Sequence, residues 1–184
     1  SGCSGLTSIE IPSSVTSIED SAFYDCNGLE EITLPFVGGS KTSNTYLGYI
    51  FGASSYSDNS KYVPSSLKRV VISGGATCIE DYAFYGCSGL TSIEIPSSVT
   101  SIGDRAFYGC NGLVEPIVLK GKLLRGIVID GIGIVPEEVT SIGSYAFRNC
   151  SSLTSIVIPT SVTSIGSEAF YGCSSLTSIV IPTS

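Results

Sequence analysis

Residues 87–109 read CSGLTSIEIPSSVTSIGDRAFYG, and most of the chain repeats this unit. Residues 2–18 and 86–102 share one identical stretch, GCSGLTSIEIPSSVTSI. An Ala-Phe pair near the end of the unit recurs at 22/23, 83/84, 106/107, 146/147 and 169/170. The chain is therefore a series of copies of this one unit.

The first leucine of each copy defines the period. It lies at positions 6, 29, 67, 90, 113, 153 and 176, and the successive gaps are 23, 38, 23, 23, 40 and 23. The period is therefore 23, and it is lengthened twice. A fixed period in the twenties is typical of a solenoid, in which each coil packs only on its neighbours. We therefore predict a single solenoid over residues 1–184, with about seven coils.

Hydrophobic alternation predicts how each copy folds. In residues 93–96, two isoleucines alternate with a glutamate before a proline, which indicates one short strand per coil, paired in parallel with the equivalent strands of its neighbours. A second extended piece is expected at 99–102. Gly103 would then turn the chain with a positive φ, and residues 105–108 would form a helical or 3-10 turn. The predicted fold is a mostly β solenoid with short helical turns.

Two segments interrupt the period. Residues 36–66 are rich in aromatic residues, and their TYLGYIF core predicts a short helix or strand packed on the solenoid. Residues 117–135 contain Lys120-Gly121 and Asp130-Gly131 between apolar alternating runs. Asp-Gly in that setting is a strong hairpin signal. We predict that residues 117–135 form two small hairpins that project from the stack.

Composition argues against several classes of function. The net charge is −7 and Lys and Arg are nowhere clustered, so no nucleic-acid partner is expected. No apolar run approaches the length of about 18 residues that a membrane span needs. The sequence has no His for a Ser-His-Asp or Cys-His arrangement and no GxxxxGK[ST] phosphate loop. We expect no enzyme activity, no cofactor and no membrane insertion.

Six of the seven cysteines occupy one repeat position: Cys3, Cys26, Cys87, Cys110, Cys150 and Cys173. Equivalent positions on stacked coils lie about 4.8 Å apart, which would permit disulfides. A small apolar side chain that fills one buried site per coil also explains the pattern, and we favour this interpretation, with reduced thiols. Without His or a CxxC pair, no metal site is expected.

Two surfaces are candidate binding sites. Solenoids bind through extended surfaces, and the outward side chains of the strands form one such row: Ser8, Glu10, Glu31, Thr33, Arg69, Val71, Ser92, Glu94, Ser155 and Val157. Tyrosine is enriched at interfaces, and the aromatic insertion contains Tyr46, Tyr49, Tyr56 and Tyr62. Each surface has a structural alternative. The row would be a solvated face without a ligand, and the aromatic rings would fasten the insertion to the solenoid.

The unit L-x-x-I-x-I-P-x-x-V-x-x-I-G-x-x-A-F-x-x-C resembles the BspA-like subclass of leucine-rich repeats. In one copy the match is carried by Leu90, Ile93, Ile95, Pro96, Val99, Ile102, Gly103, Ala106, Phe107 and Cys110. The resemblance covers about four-fifths of the chain. It implies a solenoid of the leucine-rich-repeat type.

Members of this group are typically surface-exposed or secreted proteins of bacteria, and some occur in protozoan parasites. The resemblance therefore implies an extracellular or cell-surface location and binding or adhesion to an extracellular protein or glycan. A structural spacer without a ligand is the alternative. Because the chain begins and ends within a repeat, we expect a fragment of a longer protein, and we favour a monomer.

Overall fold

The computed structural model describes residues 2–43 and 45–181. The chain forms two compact units, Ser1–Leu113 and Val114–Ser184, which are described separately. Short, mostly parallel strands at the repeat period confirm the predicted β solenoid of the leucine-rich-repeat type. One continuous solenoid through both units stays a prediction.

The N-terminal unit contains two parallel sheets. The larger consists, in order, of β1 (Ser8–Glu10), β2 (Glu31–Leu34), β3 (Arg69–Ile72) and β5 (Ser92–Glu94). The smaller consists of β4 (Cys78–Ile79) and β6 (Ser101–Ile102). Each coil adds one strand to the larger sheet, and in two of the coils the second extended piece also becomes a short strand.

The C-terminal unit contains two further sheets. One is formed by β7 (Ile117–Leu119), β8 (Lys122–Arg125), β11 (Ser141–Ile142) and β13 (Ser164–Ile165). The other is formed by β9 (Ile127–Ile129), β10 (Ile132–Ile134), β12 (Ser155–Val157) and β14 (Ser178–Val180). In each sheet the first two strands are antiparallel and the later pairings are parallel.

Residues 117–135 form two hairpins, but the prediction that they project from the stack is wrong. Both turns have positive φ at their two central residues, +49° and +74° at Lys120-Gly121 and +48° and +83° at Asp130-Gly131, as in type I′ turns. The second strand of each hairpin then joins a coil, because β8 pairs in parallel with β11 and β10 with β12. Projection would leave ladder groups of β11 and β12 unpaired, which disfavours it.

In residues 36–43 and 45–66 the chain forms short helices and no strand. They contain 3-10 helices at Leu47–Phe51 and Tyr56–Asp58, followed by α1 (Asn59–Tyr62). In the first helix Leu47, Ile50 and Phe51 are buried, and so are Phe36 and Val37 at the start of the segment. The insertion is therefore part of the core of the N-terminal unit.

The first 3-10 helix takes the place of the Ala-Phe turn in its coil. The backbone N–H of Phe23 donates to the carbonyl of Ile50 at 2.8 Å, and the N–H of Leu47 donates to the carbonyl of Ala83 at 2.8 Å. Regular coils are joined by the same type of bond between successive Ala-Phe turns. The insertion thus completes the stack of turns.

The turn that precedes each Ala-Phe pair differs from the prediction. Residues 105–108 form hydrogen-bonded turns and no helix, and the positive φ of +54° belongs to Arg105 and not to Gly103. The residue before each other Ala-Phe pair also has a positive φ: Ser21, Tyr82, Tyr145 and Glu168. Gly103 is needed for a different reason, since a Cβ there would collide with the backbone nitrogen of Asp81 in the preceding coil.

The interior of each unit is built from columns of equivalent side chains. Ile32, Val70 and Ile93 lie in register on adjacent strands, and all three are buried. The Ala-Phe pairs at 83/84, 106/107 and 146/147 are buried as predicted, whereas Ala22 in the first coil is exposed. The rings of Phe84 and Phe107 stack with centroids 5.6 Å apart. This inward packing leaves the alternate strand residues on the outer face.

Candidate functional site

Outward side chains of the N-terminal unit form two aligned rows. Parallel register places Ser8, Glu31, Arg69 and Ser92 in one row and Glu10, Thr33, Val71 and Glu94 in the other. Each of these side chains is half-buried or exposed. The structure therefore brings these eight predicted site residues together on one face, while their role in binding stays a prediction.

Arg69 links the two rows. Its guanidinium donates to Glu31 Oε1 at 2.7 Å and also forms an ion pair with Glu94. Hydrogen bonds to Glu94 and then to Glu31 raise the pKa of Arg69, so the group stays protonated. Two of the carboxylates on this face are therefore paired with one arginine of the chain itself.

The outer face of the β9-β10-β12-β14 sheet is aliphatic. Ile129 pairs with Ile132, Ile132 with Ser155, and Val157 with Val180. The four aliphatic residues are strongly exposed: Ile129 is 52% exposed, Ile132 49%, Val157 62% and Val180 51%. We call these four residues the aliphatic face. Exposed apolar side chains gathered in one patch mark interaction sites more often than scattered ones do.

Sequence reasoning identified Val157 but missed Ile129 and Ile132, because the hairpins were expected to project. A signal was nevertheless present. Ile132 lies one repeat period before Ser155, which itself lies one period before Ser178. This spacing places Ile132 in the same outward row.

Two of the predicted tyrosines pack against their own segment. Tyr46 Oη donates to the carbonyl of Ala53 at 3.1 Å, and the rings of Tyr46 and Tyr49 meet edge to face at 6.0 Å. Burial, with a smaller contribution from Asp20, raises the pKa of Tyr46. Both rings are half-buried. These contacts support the interpretation that Tyr46 and Tyr49 stabilise the insertion.

The other two predicted tyrosines are more exposed. Tyr56 is 38% exposed and stacks on Tyr82 with centroids 4.1 Å apart, and the ring of Tyr85 lies 5.5 Å from it. Tyr62 is 41% exposed. Stacking on Tyr82 uses one face of the Tyr56 ring, which supports a structural role for this tyrosine.

The seven cysteines are free thiols, and four of them are buried: Cys26, Cys87, Cys110 and Cys150. Burial raises the pKa of Cys87 well above its ordinary value, and it also raises the pKa of Cys150 even though Arg125 Nη2 lies 3.6 Å from its sulfur. These two thiols are therefore protonated near neutral pH and are poor nucleophiles.

Two further findings concern residues 2–43 and 45–181 alone. Among them, no group of three or more His, Cys, Asp or Glu side chains is arranged to hold a metal ion. The helices in this part of the chain are too short to cross a membrane.

Comparison with known proteins gives one family. A family model described as BspA type leucine-rich repeat region matches residues 1–52, 54–123 and 132–184 in six copies. No curated protein matches the chain.

Three solved structures of bacterial proteins are similar. A leucine-rich repeat protein from Bacteroides ovatus is 32% identical over 95% of this chain and 37% of that one, with a TM-score of 0.45. A leucine rich cell surface protein from Faecalibacterium prausnitzii is 24% identical, and the match covers 96% of this chain and 61% of that protein, with a TM-score of 0.50. A T. pallidum leucine rich repeat protein is 24% identical, and the match covers 95% of this chain and 58% of that protein, with a TM-score of 0.34. The chain therefore spans less than two thirds of the length of each of these relatives.

Proposed function

Because this chain belongs to the BspA-type leucine-rich repeat family, we propose that it is a non-enzymatic binding module of a bacterial cell-surface protein. Its partner is a protein, which the C-terminal unit binds through the aliphatic face. The observation that carries this proposal is the exposure of Ile129, Ile132, Val157 and Val180, about half or more of each side chain, on one sheet.

The chemistry of this face favours a protein over a glycan. Isoleucine and valine side chains offer no hydrogen-bond donor or acceptor to sugar hydroxyls. Ser155, which pairs with Ile132, and Ser178, which pairs with Ser155, carry no charge. An uncharged apolar surface on a partner protein is complementary to such a face, because both surfaces lose unfavourable hydration when they meet.

The outward rows of the N-terminal unit support binding less strongly. Arg69 already pairs with Glu31 and Glu94, so a charged partner would have to replace these contacts. Val71 is half-buried. We place the main contact on the aliphatic face for this reason.

The test is a binding assay of the whole chain on an array of purified extracellular-matrix proteins and glycans. A double variant, Val157→Glu with Val180→Glu, converts the Ser-Ile-Val strands into Ser-Ile-Glu, the sequence that the chain itself uses at 8–10 and 92–94. The fold should therefore tolerate it. We expect saturable binding to a protein spot and a loss of about tenfold or more in the double variant, since two anchors would become charged.

The matched control is Glu10→Val, which makes the opposite change at the equivalent position of another coil. It should leave binding unchanged. Hits on glycans alone, or equal binding by the double variant, would contradict the proposal. A blank array would favour the alternative of a rigid spacer without a ligand.

A further inference from the structure

Tyr56 of the aromatic insertion lies face to face with Tyr82 of a neighbouring coil. Their ring centroids are 4.1 Å apart and the ring planes differ by 17°. Tyr56 begins a 3-10 helix, in which the N–H of Ser57 donates to Ser55 Oγ at 3.3 Å. The N–H of Tyr82 donates to the carbonyl of Asp104 in the next coil at 3.0 Å. Both rings are therefore mounted on hydrogen-bonded backbone, and their stack joins the insertion to the solenoid.

This pair is accessible to an oxidant. The chain has no Met and no Trp, so its readily oxidised side chains are cysteines and tyrosines. Four of the seven thiols are buried. Tyr56, by contrast, is 38% exposed, and the half-buried Tyr82 is in ring contact with it. A one-electron oxidant can therefore act on Tyr56 directly and on Tyr82 by electron transfer through the stacked ring.

Nearly parallel rings in contact have the geometry that coupling of two tyrosyl radicals requires. When a tyrosine loses one electron and its phenolic proton, the unpaired electron is shared between the oxygen and the ring carbons ortho to it. The orbitals that hold this electron are perpendicular to the ring, so in a face-to-face pair they point from one ring to the other. Because the rings are already in contact, little movement is needed to join them. A perpendicular pair lacks this overlap.

We propose that Tyr56 and Tyr82 are a site of oxidative cross-linking, at which hydrogen peroxide and a haem peroxidase convert the stacked pair into dityrosine. Each phenol gives up one electron and one proton, and together these reduce one hydrogen peroxide to two water molecules. One carbon–carbon bond forms between an ortho carbon of each ring. The hydrogen on each of these carbons then moves to the phenolic oxygen, so both rings become aromatic again.

The new bond fastens the aromatic insertion covalently to the solenoid. Because the first helix of the insertion completes the stack of turns, this bond ties part of the core of the N-terminal unit in place. The site is separate from the aliphatic face and does not depend on the function proposed for it.

The test is treatment of the whole chain, in dilute solution, with hydrogen peroxide and a haem peroxidase. Accessible thiols are alkylated beforehand, since they would otherwise consume the oxidant. Size exclusion separates the monomer, and its dityrosine fluorescence is measured. Trypsin cleaves after Lys and Arg, so the expected cross-link joins peptide 42–61 to peptide 70–105. Mass spectrometry should show this joined pair with two hydrogen atoms fewer, and fragmentation should place the bond at Tyr56 and Tyr82.

Two variants and a matched control make the test specific. Tyr56→Phe and Tyr82→Phe keep the stacked ring but remove the phenol, so the fold should tolerate both. Each should abolish the joined peptides and remove most of the dityrosine fluorescence of the monomer. Tyr62→Phe is the control, because Tyr62 lies in the same insertion and is similarly exposed, at 41%. It should leave the joined peptides and the fluorescence unchanged.

Two other tyrosine pairs provide comparisons within the same chain. Tyr46 and Tyr49 meet at 83° with centroids 6.0 Å apart, so we expect no bond between them. Tyr85 and Tyr108 are parallel with centroids 4.8 Å apart, but both are half-buried, so they should react more slowly than Tyr56.

Three results would overturn the proposal. The first is a cross-link that forms at either of these two pairs in preference to the stacked pair. The second is dityrosine that is found only in dimers. The third is a chain that forms no dityrosine under conditions in which free tyrosine couples.

Discussion

Glycine at position 103 shows how closely successive coils approach each other. A Cβ there would collide with the backbone nitrogen of Asp81, and a Cβ on the equivalent Gly166 would collide with that of Ser144. Neither glycine has a positive φ. The residue type is therefore required by packing between coils and not by the conformation of the turn.

Gly103→Ala should lower the free energy of unfolding by about 1–3 kcal/mol, because backbone cannot move aside as a flexible side chain can. Gly74→Ala is the control, since Gly74 has no neighbour within 4 Å and no positive φ. Because alanine lowers the conformational entropy of the unfolded chain, Gly74→Ala should leave the free energy of unfolding unchanged or raise it slightly. Urea unfolding measures both, and equal effects would show that close approach is not the cause.

Buried thiols make stability depend on pH. Burial, with a smaller contribution from the neighbouring Cys110, raises the pKa of Cys87 well above its ordinary value. In the unfolded chain a cysteine thiol ionises at about pH 8.5, whereas the Cys87 thiol of the folded chain still keeps its proton at that pH. The contribution of Cys87 to stability is therefore fully present below that pH and is lost as the pH rises above it.

We expect the urea concentration at the unfolding midpoint to decrease as the pH rises from 7.5 to 10. Cys87→Ala should make this decrease with pH less steep, whether or not the substitution changes stability at pH 7.5. Ser88→Ala, at an exposed residue without an ionisable side chain, should leave the steepness unchanged. Identical pH profiles for the wild type and Cys87→Ala would contradict the assignment.

At the scale of elements, the aromatic insertion acts as a replacement for a turn of the solenoid. The 3-10 helix Leu47–Phe51 forms the bonds that join Ala-Phe turns elsewhere, and Ile50 is 0% exposed. Deletion of the insertion would therefore remove core residues of the N-terminal unit together with any binding surface. A single substitution separates these roles better.

Ile50→Ala should lower the free energy of unfolding by about 2–5 kcal/mol, since it leaves a cavity in a packed core. Tyr62 lies in the same insertion but is 41% exposed, so Tyr62→Ala should lower the free energy of unfolding much less. Thermal and urea unfolding followed by circular dichroism measure the difference. A small effect of Ile50→Ala would mean that the insertion packs loosely on the coils.

At the scale of the whole molecule, one repeat produces two kinds of outer surface. Outward positions of the N-terminal unit hold Glu10, Glu31, Arg69 and Glu94, whereas the equivalent positions of the C-terminal unit hold isoleucine, valine and serine. Inward positions are under the same packing constraint in every coil, but outward positions are not. Differences in function should therefore lie in the outward rows and in the interruptions of the period.

Most of the fold could be predicted because every copy repeats the same local signals. The alternation in 93–96 predicted the strand at β5, and the spacing of the leucines predicted which strands become neighbours. The hairpin turns at Lys120-Gly121 and Asp130-Gly131 could also be predicted, because positive φ is a local preference. The conformation of residues 105–108 could not, since packing between coils overrides it.

The sequence by itself determined the period, the strand positions, the inward columns and the family, because these follow from short-range alternation that recurs in every copy of the unit. The tertiary structure decided how the interruptions join the coils and that Arg69 pairs with both Glu31 and Glu94. It also decided that Ile129 and Ile132 extend the row of Val157. The physical reason is that these features arise from contacts between residues far apart in the chain, which the repeat period does not encode.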